Sequence, residues 1–230
     1  MTTNLIKGVT WLLVGLLLSS FSHFSRVTDF PDSRYASYNW QSFQRLPELQ
    51  QIIDFRQVDL DLLNAAVFYM TNRARHQQGL PALRFNAPLR NMASAHSGQM
   101  AKFEFVDHVN PYNPRLKTVN HRARRYNAAA HAENVASEFL HEYKSGTQYY
   151  SLEREEGMVY LTSTHDPIEP RTYLRFAKEL LTGWMNSKGH RTNILLKDLK
   201  SMGCAVQIEV RSVAKGQLPM AYATQNFSFE

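Results

Sequence analysis

The chain has 230 residues, 43% of them hydrophobic and 20% charged, the balance of an ordinary globular protein with room for one sizeable core. A single cysteine, Cys204, excludes an intramolecular disulfide. The net charge of +6 is a modest basic excess: it favours anionic surfaces such as lipid headgroups or acidic polymers, though solvated surface Lys and Arg account for it more simply.

Residues 1–25 have the form of an export signal. Lys7 is the early charge, Val9 to Leu18 is apolar apart from Thr10 and Gly15, and Ser20 and Ser22 are small enough for cleavage. The run is short for a membrane span. An uncleaved N-terminal anchor is the alternative, and membrane contact is expected only through this segment. Residues 26–53 scatter Phe30, Tyr35, Tyr38, Trp40 and Phe43 among polar residues, which predicts an arm laid on the following domain. Leu49, Ile52 and Ile53 predict a short helix after Pro47.

A helix is predicted over 60–78. Leu63, Val67, Met70 and Ala74 share one face, Asp59 is its N-cap, and Gly79 and Pro81 end it. A second follows Asn86, with Pro88 in its first turn and Leu89, Ala93, His96 and Met100 on one face, so His96 reads as a hydrogen-bonded core histidine. Residues 109–131 read as irregular, with turns at Asn110-Pro111 and Asn113-Pro114. The basic cluster His121 to Arg125 within them reads as a solvated rim or an anion contact. It is too short, and too poor in aromatics, for a nucleic-acid surface. Around 141–171, Gln148–Leu152 and Met158–Thr162 can pair as a hairpin about Arg154-Glu155-Glu156-Gly157.

A third helix is predicted over 172–186, its stripe ending at Trp184. Gly189 then breaks the helix and sets His190 at a corner. Met202, Cys204, Val206, Ile208 and Val210 alternate with period two, and Met220 to Phe229 is the partner strand, with Gly216 in the turn. Cys204 reads as a small buried hydrophobe. Helices first and antiparallel strands last define an α+β layer fold.

Several fragments recur in a fixed order: Asn72-Arg73-Ala74-Arg75, Gly79-Leu80-Pro81-Ala82-Leu83, Ala95 to Met100, Phe103 to His108, Ala132-Glu133-Asn134-Val135-Ala136, Trp184 to Leu195 and Met202-Gly203-Cys204. Over roughly residues 54–229 this pattern resembles the CAP superfamily (SCP domain) of cysteine-rich secretory, antigen 5 and pathogenesis-related proteins, in its bacterial secreted branch. The resemblance implies a CAP domain over 54–230 with an insertion at about 141–171, folded as an α-β-α sandwich with a small antiparallel sheet between helices. It implies a secreted or cell-envelope location.

The resemblance also implies a cavity built from two His and two Glu. His108 and His190 match the histidines and Glu133 the first Glu. No acid follows Trp184, so the set is incomplete. His108, His190 and Glu133 could hold a divalent metal such as zinc. The alternatives are that they orient a water, with Glu133 as the candidate catalytic base, or form a buried network that braces the fold. Asn134 reads as a loop-securing residue. Three functions follow: a ligand- or metal-binding module for a small apolar molecule, a lipid or an envelope polymer; a metal- or water-dependent, peptidase-like hydrolase; and a structural envelope protein. The missing Glu and the absence of a recognisable nucleophile favour binding over turnover.

Overall fold

A computed structural model describes residues 34–151, 159–209, 211, 213 and 217–230. The expected leader, the start of the arm, the hairpin turn at 154–157 and Gly216 lie outside the described residues. Among those described, no helix is long and apolar enough to cross a membrane.

The described part of the arm, from residue 34, packs on the domain through Phe43, Leu49 and Ile53. Helix α1 (Trp40–Phe43) begins with a reciprocal capping box between Asn39 and Ser42. Phe43 is buried and stacks on Tyr69 with ring centroids 4.4 Å apart. The short helix expected at Leu49, Ile52 and Ile53 is a 3-10 turn at Pro47–Gln50 only, because Gln51 is already extended. Leu49 and Ile53 are buried, and Ile52 points outward.

Helix α2 (Leu60–Gln77) starts where Asp59 accepts the Leu62 N–H at 3.0 Å. It stops before Gly79, which takes φ +70°, a backbone that a side chain would strain. Helix α3 (Ala87–Phe103) is capped by Asn86, which accepts the Leu89 N–H at 3.0 Å. Residues 109–131 are more ordered than expected. A 3-10 turn at Pro114–Leu116 precedes helix α4 (Val119–Tyr126), capped by Thr118 and closed by Asn127 in the left-handed region at φ 48°. Its apolar stripe is missing because its buried residue is Arg122, so hydrophobic periodicity could not reveal it.

The main sheet joins β1 (Arg84–Phe85), β2 (Ala132–Phe139), β5 (Ser201–Glu209) and β6 (Met220–Ser228) in the order β1-β5-β6-β2. Strands β5 and β6 pair antiparallel as expected. Two further strands flank them: β2, antiparallel to β6, and β1, parallel to β5. The sheet is therefore mixed, not antiparallel throughout. Helix α3 covers one face. Helices α2, α5 (Tyr173–Asn186) and α6 (Lys188–Ile194) cover the other, which makes three layers. Leu63, Phe176, Trp184, Cys204, Val206 and Phe227 belong to the core of the second face.

Gly203 lets α3 lie directly on β5, since a Cβ there would stand 2.0 Å from the Arg90 nitrogen. The break between α5 and α6 falls at Ser187, whose backbone is extended; Gly189, the expected breaker, lies inside α6. Strands β3 (Tyr149–Ser151) and β4 (Val159–Leu161) form the expected hairpin. It packs with Phe139, Tyr143, Ile168 and Leu218 at the far end of β2.

Candidate functional site

The site is built at the start of β2, and Glu133 is its centre. Strand alternation turns Glu133 toward α3 and α4, while its neighbour Asn134 faces α6. The Glu133 side chain is 2% exposed. Nη2 of Arg122 donates to Oε1 at 2.7 Å and to Oε2 at 2.8 Å. His108 Nδ1 lies 3.0 Å from Oε1. The Asn226 amide is satisfied at both ends when its nitrogen faces Glu133: it then donates to Oε2 at 3.1 Å and accepts the Ala93 N–H at 3.3 Å. Both carboxylate oxygens are thus engaged by donors. Burial alone would raise the Glu133 pKa; the hydrogen bond from His108 and the positive charge of Arg122 outweigh it and lower the pKa below its ordinary value.

Arg122 is wholly buried. Its guanidinium donates to three carbonyls: Leu116 at 3.0 Å and Lys117 at 3.5 Å through Nη1, and His108 at 3.1 Å through Nη2. It therefore ties the 108–117 loop to β2. The expectation of a solvated rim at residues 121–125 is corrected at this residue. A lone Arg goes inside here because a carboxylate and converging carbonyls await it.

His108 sits on the loop after α3 and is 49% exposed in its side chain. Because an ionised carboxylate only accepts, Nδ1 of His108 carries the proton and Nε2 is left for solvent or a ligand. The Glu133 hydrogen bond raises the His108 pKa, against desolvation. His190 lies in the first turn of α6 and is partly exposed. Burial lowers its pKa, and the charge of His108 lowers it further. Its carbonyl accepts from Asn134 Nδ2 at 3.2 Å. Asn193 Nδ2 donates to the Glu133 carbonyl at 3.2 Å and to Asn134 Oδ1 at 2.9 Å. Asn134 thus fastens α6 to β2 from a strand, where a loop was expected.

Beneath the loop, His96 is fully buried, and its Nε2 donates to the Asp107 carbonyl at 2.8 Å, as a core histidine should. Burial, aided by the charge of Arg122, lowers its pKa to about 4. Cys204 is buried as expected, and burial pushes its thiol up to about 12.

Glu133 is saturated by Arg122, His108 and Asn226, so it offers no free lone pair to a metal without displacing a guanidinium. Among the described residues, no group of three or more His, Cys, Asp or Glu side chains could hold a metal ion. Glu133, His108 and His190 therefore do not fit a three-ligand shell. The sequence reading missed Arg122, Asn193 and Asn226. Thr118 and Asn127 flank a helix-length stretch as caps, and that pairing was the available signal for α4 and so for Arg122.

A three-layer α-β-α domain with a buried Glu held by Arg122 and His108 on the edge strand of its sheet defines the class. The profile of the CAP family, the cysteine-rich secretory protein family, matches residues 68–227, and the chain belongs to that family. Similar solved structures include an extracellular SCP-domain protein from Bacillus anthracis, at 20% identity and a TM-score of 0.47, covering 73% of this chain and 40% of that one. An outer surface protein from Borrelia burgdorferi gives 9% identity and a TM-score of 0.43, covering 70% of this chain and 88% of that one. A cysteine-rich secretory protein from Staphylococcus aureus gives 13% identity and a TM-score of 0.43, covering 74% and 39%. No curated protein matches the chain.

Proposed function

We propose that this CAP-family protein is an exported binding module of the cell envelope or medium. In this reading, His108 and His190 present hydrogen-bonding edges to a lipid, a small apolar molecule or an envelope polymer. One observation carries it: Glu133 is clamped by Arg122 and His108, and a buried carboxylate with a lowered pKa is a poor general base. Export rests on the basic, then apolar, leader at residues 1–25. Fractionation of expressing cells should place the protein outside the cytoplasm; full-length chain free in the cytosol would contradict export.

Binding is tested by following the ring resonances of His108 and His190 as phospholipid vesicles, fatty acids and soluble envelope-polymer fragments are added. At least one class should move both rings, with weaker binding in His190→Ala. A purified protein that turns over peptide or ester substrates would overturn the reading.

A second reading is favoured by one contact. The Glu133–His108 pair orients an imidazole with Nε2 outward, so a hydrolase built on this site would use His108 as its base on water, with Glu133 orienting it. That turnover would vanish in His108→Ala. It would rise with pH as His108 loses its proton.

A further inference from the structure

We propose that Arg122 is the built-in cation of this site and excludes divalent metals from the His108–His190 pair. The inference goes beyond the binding reading: it rests on the same site but not on the ligand, so a failed ligand screen would leave it standing.

A divalent ion held by imidazoles gains most from a nearby carboxylate that is free to bind it or balance its charge. Glu133 is the acid hydrogen-bonded to His108. Its charge is already balanced by a guanidinium that touches both oxygens, at 2.7 and 2.8 Å. Arg122 cannot swing away to make room. It is wholly buried, and the carbonyls of Leu116, Lys117 and His108 hold it from the other side. Moving it would leave those carbonyls without this donor and the guanidinium without water. A metal arriving beside His108 would meet a fixed positive charge in place of a free anion, and like charges at short range disfavour its binding. His108 is also turned by its Glu133 contact, and that contact persists only while the carboxylate stays in place. Arginine suits this duty better than lysine, because its fork spans carboxylate and carbonyls together and its charge is permanent.

The test is a zinc chloride titration of the full chain at constant neutral pH, read on the His108 and His190 ring resonances. Wild type is compared with Arg122→Met and Arg122→Gln, each checked for folding by thermal melting. Arg122→Gln keeps a neutral donor toward Glu133 and is included in case Arg122→Met does not fold. In wild type both rings should stay unmoved. In a folded variant both should shift saturably, with zinc bound tighter by on the order of ten-fold or more. Zinc moving both rings in wild type overturns the proposal, and so does a folded variant that binds zinc no tighter than wild type. Should neither variant fold, the wild-type titration decides alone: unmoved rings support the proposal.

Discussion

Arg122 and Glu133 are 0% and 2% exposed, whereas His108, on the same carboxylate, is half in solvent. The two contacts to Glu133 should therefore differ in worth. Glu133→Gln leaves a buried guanidinium uncompensated and should cost about 3–5 kcal/mol in urea denaturation. His108→Ala removes a partly exposed partner and should cost at most about 1 kcal/mol. Equal costs would mean that Arg122 is not the principal partner. The buried histidines make a second prediction at this scale. Burial lowers the pKa of His96, and of His141 buried just beyond β2 and near the buried Arg171, to about 4, with the charges of Arg122 and Arg171 adding to the shift, against 6.5 when free. Between those values the unfolded chain binds protons that the native chain does not. Stability should therefore fall as pH drops from about 6.5 toward about 4, by up to about 1.4 kcal/mol per pH unit for each histidine. Urea midpoints measured from pH 7 to pH 4.5 check this, and a flat profile would contradict it.

The contact of α3 with β5 depends on Gly203. An added Cβ would meet the backbone of Leu89 and Arg90, which cannot rotate aside as a side chain can. Gly203→Ala should cost about 3 kcal/mol, measured by denaturation; a neutral effect would mean that the two layers are not packed so closely. The hairpin β3-β4 belongs elsewhere. Its apolar residues Val159 and Leu161 pack beside Phe139. At about 3.3 Å per residue, Phe139 lies about 20 Å along β2 from Glu133. Val159→Asp should thus disrupt the hairpin while leaving the His108 and His190 resonances in place. Movement of those resonances would show that the insertion does reach the site.

Legibility follows from which signals are local. The caps Asp59, Asn86 and Thr172 could be read or closely bracketed, because a cap and its helix are neighbours in sequence. Strands β5 and β6 declared themselves by alternation. Strand β2 did not: it is buried on both faces through Glu133, Asn134 and Val135, so polar residues stand where period two demands apolar ones. Helix α4 was hidden for the same reason, its buried residue being a charge.

At the scale of the whole molecule, the fixed order of family fragments put forward His108, Glu133 and His190; the structure joins His108 to Glu133 directly and ties His190 to the neighbouring Asn134 through its carbonyl. The partners that decide their chemistry arrive only through tertiary folding: Arg122 comes from a helix with no apolar stripe, Asn226 from the far end of the chain, and Asn193 from the turn after His190. That difference turns a presumed base or metal ligand into a clamped anion. The account stands or falls on the ionisation of Glu133, which is read directly from its carboxyl carbon in a pH titration of the full chain by NMR. Glu133 should keep its charge to below the ordinary glutamate value of 4.5, so that the stability it lends above that pH is lost only as the pH falls through its lowered pKa. A Glu133 that takes up its proton above 4.5 would contradict the clamp and return the residue to the role of an acid or a base.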